Sequence, residues 1–291
     1  MKKVLLIGNP TEHSLSPVLQ QVAFDNLNLP WKYHNMTTQP SELESVVGSM
    51  RNGDTIGANV TIPYKIDIIR FLDELAPSAK KIGAVNTVQI IGDKVHSRLI
   101  GHNTDIEGIK TSIASESVTL DTSIASVIGS GGASLAVIAG LQGLGVKQIH
   151  LIGRNIKKVR EVASKAWSAE ITPHDLVSIP SLELTALLAE CSIIVQATSV
   201  GMTGGPAPNQ NPIPQLILES ALEKSTRQQL LFDLVYSPTN TPFLNTASKF
   251  GVTGINGLEM LLRQGAAAFE IWTGQVAPIE VMRASLKRAE I

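Results

Sequence analysis

The sequence predicts an α/β protein of two domains with mostly parallel sheets. Apolar, β-branched runs alternate with helix-length segments along the whole chain, a pattern that builds parallel sheets covered by helices. A glycine turn joins one such run to an alanine-rich stretch, and 291 residues suffice for two cores at about 100 to 200 residues per domain. In chain order the strands are read at "KVLLIG", "WKYHNMT", "TIGANVTI", "AVNTVQII", "ASVIG", "QIHLIG", "SIIVQAT", "QLLFDL" and "VTGI". The opening "MKKVLLIGNP" imitates the start of a secretory signal. Gly8 and Pro10 end its apolar run short of the roughly 7 to 15 residues a signal needs, so it reads as the first strand. A change of domain is expected in "SIASESVTLDTS", residues 112–123, which is poor in large apolar groups. Residues 203–214, "TGGPAPNQNPIP", form the one long irregular loop, and no repeat or low-complexity tract is evident.

The totals narrow the function. Lys and Arg number 24 against 25 Asp and Glu, a formal charge of −1, which gives no electrostatic case for nucleic acid or an anionic membrane and points to small or neutral partners. No stretch approaches the roughly 18 apolar residues of a membrane span, so a soluble protein is expected. Cys191 is the sole cysteine, which excludes an intrachain disulfide and a multi-cysteine metal site and suits a reducing cytosol. Inside "CSIIVQAT" its thiol reads as strand-start packing rather than as a nucleophile. The six histidines, at 13, 34, 96, 102, 150 and 174, show no metal-ligand spacing, so no metal is expected. A G-x-S-x-G hydrolase elbow is missing too.

"ASVIGSGGASLAVIAGLQGLG" is a strand, a turn made by Gly129, Gly131 and Gly132, and a helix. Such a turn is either a structural βα connection or a cradle whose backbone N–H groups hold a pyrophosphate. Strict G-x-G-x-x-G spacing would put glycine at Ser134; Ala136 still permits close helix packing. The next strand, "QIHLI", runs into Gly153, Arg154, Asn155, Ile156, Lys157 and Lys158, with no acid for ribose hydroxyls and three cations. That chemistry favours the 2′-phosphate of NADP over NAD, since a guanidinium grips phosphate bidentately. The bland reading is a basic helix start, which the helix dipole disfavours.

Several polar side chains stand apart from the patterning. Lys65 closes "GANVTIPYK", where a strand ends at Pro63 and nothing local asks for a charge. Ser14 and Ser16 in "HSLSP" fall on one side of an extended chain and could hold one carboxylate. Ser16 before Pro17 also makes a good helix N-cap, and the two roles are compatible. Asp105 in "GHNTD" reads equally as the N-cap of the helix beginning "IEGIK". In the last long helix, Leu258, Leu262, Ala266, Phe269 and Trp272 share one face while Met260, Gln264, Ala267 and Ile271 lie opposite, so the helix is packed on two sides. An amide buried there needs a partner, either a backbone carbonyl or a ligand, because leaving it unpaired costs about 1 to 3 kcal/mol.

Taken together and in order, "HSLSP" at 13, "NVTIPYK" at 59, "GAVNT" at 83, "GHNTDIEG" at 101, "GSGGASLA" at 129, "GR" at 153, "ATSVGM" at 197, "DLVYSPTNTPFL" at 233 and "NGLEMLLRQGAAAFEIWTG" at 256 resemble the shikimate dehydrogenase family, including its shikimate/quinate relatives. The resemblance implies an α/β substrate-binding domain, residues 1–104 and 243–291, and a Rossmann-like NADP-binding domain, residues 105–242, with the active site in the cleft between them. It implies Ser14 and Ser16 as a carboxylate clamp, Thr61, Asn86, Asp105 and Gln264 as hydroxyl readers, Lys65 and Asp105 as the catalytic pair, and Tyr236 near the substrate. For the cofactor it implies Gly129, Ser130, Gly131, Gly132, Ala133, Arg154, Asn155, Thr198 and Val235, with Gly257 and Met260 near the nicotinamide. The activity implied is reversible NADPH-dependent reduction of 3-dehydroshikimate to shikimate, in a cytoplasmic monomer or homodimer. Three departures bear on this: Gln20 and Gln21 stand where the family often has His-Asn; Gly153-Arg154-Asn155 keeps only the arginine of an Asn-Arg-Thr signature; and Ser16, threonine in some quinate-using relatives, leans towards shikimate. A quinate- or NAD-using paralogue is the alternative, and a ligand-sensing pseudoenzyme a further one, opposed by the presence of both Lys65 and Asp105.

Overall fold

The computed structural model describes residues 1–93, 95–116 and 123–289. They form two compact units, Met1–Gly108 with Leu261 onward, and Ile109–Met260. Both divisions fall inside helices, Asp105–Ala114 and Gly257–Thr273. Of the segment 112–123 where a domain change was expected, residues 117–122 lie outside the described residues.

The first unit is built on a mixed six-stranded sheet of β1 (Lys2–Gly8), β2 (Trp31–Thr37), β3 (Thr55–Val60), β4 (Glu74–Leu75), β5 (Thr87–Ile91) and β6 (Arg98–His102), in the order β2-β1-β3-β5-β6-β4. The strands β1, β2 and β3 are parallel, whereas β5 runs antiparallel to both β3 and β6. The loop after β5 turns the chain back into β6. Gly92 adopts φ +93°, and the Asp93 carboxylate accepts the N–H groups of Val95 and His96, a side-chain-closed turn. The continuous apolar run of β1 is explained by burial on both faces. Leu5 and Ile7 join a core with Leu43, Met50, Ile68 and Leu99, and Val4 and Leu6 join one with Leu19, Phe24, Leu262, Phe269 and Trp272. Trp272 donates its ring N–H to the Val88 carbonyl at 3.0 Å. A Cβ at Gly57 would sit 2.3 Å from that ring nitrogen, so only glycine lets the helix lie this close.

The second unit carries an all-parallel sheet of β7 (Ile124–Ile128), β8 (Gln148–Gly153), β9 (Glu170–Asp175), β10 (Ile193–Gln196), β11 (Leu230–Asp233) and β12 (Thr253–Ile255), in the order β12-β11-β10-β7-β8-β9. This is the doubly wound arrangement, whose order reverses between β7 and β10 and leaves a crevice at the carboxyl ends of those strands. Segment 243–256, attached to the substrate-binding domain in the sequence reading, lies in this unit, because β12 pairs parallel to β11. Cys191 is fully buried, donates to the Leu187 carbonyl at 3.2 Å, and has its thiol pushed up to about 12 by that burial. An uncharged thiol in that setting packs and does not attack. Among the described residues no helix is long and apolar enough to cross a membrane, and no three metal-ligating side chains cluster.

Candidate active site

The turn after β3 aims Lys65. Thr61 N–H donates to the Ile7 carbonyl at 2.9 Å, and Val85 N–H donates to the Lys65 carbonyl at 2.7 Å, so the backbone is pinned on both sides of Pro63. Tyr64, 1 % exposed, buries its ring and gives its hydroxyl to the Thr38 carbonyl. Lys65 Nζ reaches Asp105 Oδ2 at 2.6 Å, with the two side chains 24 % and 8 % exposed. Asp105 is the first residue of its helix, where the dipole favours a negative charge.

Asn86, just before β5, holds the other carboxylate oxygen: its Nδ2 donates to Asp105 Oδ1 at 2.8 Å and to Thr104 Oγ1 at 2.9 Å. Its Oδ1 accepts Thr104 N–H at 2.8 Å and the Thr87 hydroxyl at 3.0 Å. The same Nδ2 faces Gln264 Oε1 at 3.3 Å, and Gln264 Nε2 donates to the Leu261 carbonyl at 3.0 Å. The amide expected to need a partner therefore has two, a side chain and a carbonyl of its own helix. Lys65, Asp105, Asn86 and Gln264 form one contiguous polar cluster in which an ammonium, partly open to solvent, can give a proton beside a fixed carboxylate.

Ser14 and Ser16 share one turn, with the Ser14 oxygen accepting Ser16 N–H at 3.2 Å. The expected N-cap role of Ser16 is not realised. Its helix, Ser16–Asn26, has Leu15 at the cap position and no side-chain cap bond, because Ser16 already lies in the first turn. Two side chains not singled out from sequence support this region. Tyr33 on β2 donates its hydroxyl to Asn59 Oδ1 at 2.7 Å, and Asn59 Nδ2 donates to the Asn86 carbonyl and the Thr87 hydroxyl, each at 3.2 Å. The usable signal for Asn59 was its place between Ala58 and Val60 in a buried strand, where a lone amide must be satisfied. The glutamines that depart from the family pattern also have work. Gln20 Nε2 donates to the Gly265 carbonyl at 2.8 Å, and Gln21 bonds Tyr33 N–H and the Trp31 carbonyl of β2.

In the second unit, Gly129 has φ +118°, and a Cβ there would lie 2.9 Å from Thr198 Cγ2. Glycine thus lets the turn after β7 approach the turn after β10. Over Gly131 and Gly132 a Cβ would meet nothing within 4 Å, and of the first-turn N–H groups of helix Gly132–Gly143 that of Ser134 turns back to the Gly131 carbonyl at 3.1 Å. The fully buried Ser134 explains the missing third glycine, since its hydroxyl turns back to the Gly131 carbonyl at 2.6 Å. Ser130 lies in this turn, and Ala133 in the first turn of the helix. Thr198 gives N–H and hydroxyl to Gln196 Oε1 at 2.8 and 2.9 Å.

The basic end of the turn divides its labour. Arg154 is exposed and makes no ion pair with the described residues. Asn155 caps helix Ile156–Ala163 through Lys158 N–H at 3.2 Å. Asp175, level with Gly153 on β9, spends its carboxylate on Val177 N–H and the Ser178 hydroxyl. Open glycine backbone at a helix N-terminus and an uncommitted guanidinium with no opposing acid fit a phosphorylated dinucleotide.

Val235 ties two further segments together, giving its N–H to Asp233 Oδ1 at 2.9 Å and accepting Gly257 N–H at 3.0 Å. A Cβ at Gly257 would lie 2.2 Å from the Leu234 carbonyl oxygen. Met260 is partly exposed on the same helix. Burial pushes the carboxyl of Asp233 up to about 6, against the opposing hydrogen bonds from Thr241, at 2.6 Å, and Val235. Burial likewise raises the half-buried phenol of Tyr236 and lowers the His102 imidazole.

Three family models match the chain: a shikimate dehydrogenase substrate-binding domain over residues 6–88, a shikimate/quinate 5-dehydrogenase domain over 112–242, and a shikimate 5-dehydrogenase C-terminal domain over 257–287. A shikimate dehydrogenase (NADP(+)) of Desulforamulus reducens is 36 % identical over 279 residues, 96 % of this chain and 92 % of that protein. A pentafunctional AROM polypeptide of Schizosaccharomyces japonicus is 39 % identical over 290 residues, and the match covers 96 % of this chain but only 17 % of that longer one. Among solved structures, shikimate 5-dehydrogenase from Listeria monocytogenes in complex with shikimate and NAD is 32 % identical, with a TM-score of 0.85 over 98 % of this chain and 96 % of that one. With likeness running from the first strand to the last helix, the chain belongs to the shikimate dehydrogenase family.

Proposed function

We propose that this chain is a shikimate dehydrogenase that reduces 3-dehydroshikimate reversibly with NADPH. The observation that carries the reading is the 2.6 Å contact of Lys65 with Asp105 inside the cluster of Asn86 and Gln264. A polyol needs several fixed donors and acceptors around one proton source, and these four side chains supply them. Ser14 and Ser16 take the substrate carboxylate, while Thr61, Asn86, Asp105 and Gln264 read its hydroxyls, with Tyr236 beside it. Gly129, Ser130, Gly131, Gly132 and Ala133 hold the pyrophosphate through backbone N–H groups, Arg154 takes the 2′-phosphate, and Thr198, Val235, Gly257 and Met260 line the remainder. Asn155 serves by fixing the helix that follows Arg154. When bound, the nicotinamide supplies the hydride. Lys65 gives its proton to the oxygen at C3 as that carbon is reduced, and in the oxidising direction its neutral amine takes the proton back. Asp105 orients the ammonium, and Asn86 fixes Asp105 in turn.

The first unit is assigned to the substrate and the second to the dinucleotide, in a cytoplasmic monomer or homodimer. An initial-rate matrix of shikimate and quinate against NADP⁺ and NAD⁺ tests the reading. The largest kcat/KM is expected for shikimate with NADP⁺. A larger value for quinate or for NAD⁺ would replace it by the paralogue reading, and binding of both ligands without turnover would replace it by a sensor.

A further inference from the structure

Gln196 ends β10, one of the two strands between which the sheet order reverses, and it is fully buried. Its amide folds back onto the turn that follows. Oε1 accepts the Thr198 N–H at 2.8 Å and the Thr198 hydroxyl at 2.9 Å, while Nε2 donates to the Val200 carbonyl at 2.9 Å and faces the Thr198 carbonyl at 3.4 Å. This amide has one orientation, because a backbone N–H only donates and a carbonyl only accepts. The single hydrogen of the Thr198 hydroxyl is thereby spent on Gln196, and the hydroxyl oxygen accepts Val200 N–H at 3.1 Å. Towards the glycine turn after β7, Thr198 presents its methyl: a Cβ at Gly129 would lie 2.9 Å from Thr198 Cγ2 and 3.0 Å from the Ala197 carbonyl oxygen.

We propose that Gln196 is a positioning residue for the dinucleotide: its amide clips residues 197–200 into one turn, withholds the Thr198 hydroxyl hydrogen from the ligand, and so fixes the width of the crevice between the turns after β7 and β10. The proposal rests on the reading of that crevice as the dinucleotide site. The two turns leave neighbouring strands that are in register at Ile128 and Gln196, and Ala197 N–H still donates to the Ile128 carbonyl at 2.8 Å. Their bases are therefore held by the sheet, and only their tips have freedom to spread. The clip closes one tip. Because the 2′-phosphate is assigned to Arg154, the clip acts alike on NADP⁺ and NAD⁺, which share the rest of their structure.

The experiment measures kcat and the KM values of NADP⁺, NAD⁺ and shikimate for the wild type, Gln196→Met, Thr198→Val and the double variant. Methionine keeps the length of the side chain and removes the amide. Gln196→Met should raise the KM of both dinucleotides by the same factor, about tenfold, the scale of one or two net hydrogen bonds, and leave the KM of shikimate unchanged. Adding Thr198→Val should raise them no further, since the hydroxyl acts only through Gln196. Effects that multiply would place the hydroxyl on the ligand and overturn the proposal. Gln196→Asn should recover most of the loss, because an asparagine oxygen can accept the N–H two residues on. A lower kcat with unchanged KM values in Gln196→Met would reduce the amide to packing, which also overturns it. A wild type that turns over with neither dinucleotide would overturn the reading of the crevice itself, a distinct result. Should Gln196→Met not fold, the unfolding midpoint of ligand-free Thr198→Val decides. A fall is expected, because the hydroxyl bonds are made before any ligand binds, and an unchanged or higher midpoint would overturn the proposal.

Discussion

The two units prepare their sites by opposite means. In the first, side chains do the work: Lys65, Asp105, Asn86 and Gln264 are committed to one another, and Thr87, Thr104, Asn59 and Tyr33 stand behind them. In the second, backbone does it: Gly129 and Gly257 permit close approach, while Gly131 and Gly132 leave space bare. A network of side chains fixes the direction of a proton and tolerates few changes of chemistry. A bare turn fixes the position of a backbone donor and tolerates few additions of volume.

The contrast can be broken most severely at Lys65. Lys65→Ala should lower turnover at least about 100-fold, the scale of general acid–base catalysis, while NADP⁺ affinity from fluorescence titration stays within about twofold. Near-normal turnover would remove Lys65 from the mechanism.

The glycines should divide by volume. Gly257→Ala drives a Cβ into the Leu234 carbonyl and is expected to cost about 3 kcal/mol in denaturant unfolding. Gly131→Ala, with φ −84° and nothing within 4 Å, should change stability by less than about 0.5 kcal/mol yet raise the KM for NADP⁺. If both variants were equally unstable, the distinction between approach and open space would fail.

Asp233 makes the second unit sensitive to pH. Its folded value, about 6, lies above the ordinary carboxyl range because of burial, so its contribution is full below about pH 4 and is lost as pH rises through 6. The shift corresponds to at most about 3 kcal/mol. Stability measured from pH 4 to 7 should therefore fall more in the wild type than in Asp233→Asn, and parallel curves would contradict it.

A smaller effect than at Lys65 or Gly257 is expected at Arg154. Arg154→Ala should reduce the preference for NADP⁺ over NAD⁺ about tenfold, near the worth of one exposed charge-assisted contact; an unchanged ratio would move the 2′-phosphate elsewhere.

Much of the scaffold was legible because burial on both faces writes itself as unbroken apolar runs, as in β1, β7, β10 and β11. Three strands escaped. β4 is two residues long, β6 carries Gly101 between polar ends, and β9 is a half-buried edge strand containing Pro173, so none offers a period to read. Lys65 was legible as a charge without a local reason, and Gln264 as an amide in an apolar helix. Tyr33 was not, since a tyrosine on a strand is ordinary until Asn59 is seen beneath its hydroxyl. Asn155 illustrates the opposite difficulty: a position prominent in a motif spends its side chain on a helix cap. The change of unit within 257–273 left no mark either, because a helix can pass from one core to another without any break in its apolar faces.

Gln21 has a consequence for how copies of the chain meet. β2 is the outer strand of its sheet, and an outer strand with open N–H and carbonyl groups is a template for aggregation by strand addition. Gln21 lays its amide along that edge, accepting from Tyr33 N–H at 3.1 Å and donating to the Trp31 carbonyl at 3.2 Å, as a neighbouring peptide would. A single side chain thus imitates the missing strand over one residue pair, and a foreign strand would have to evict it before sheet growth could begin there.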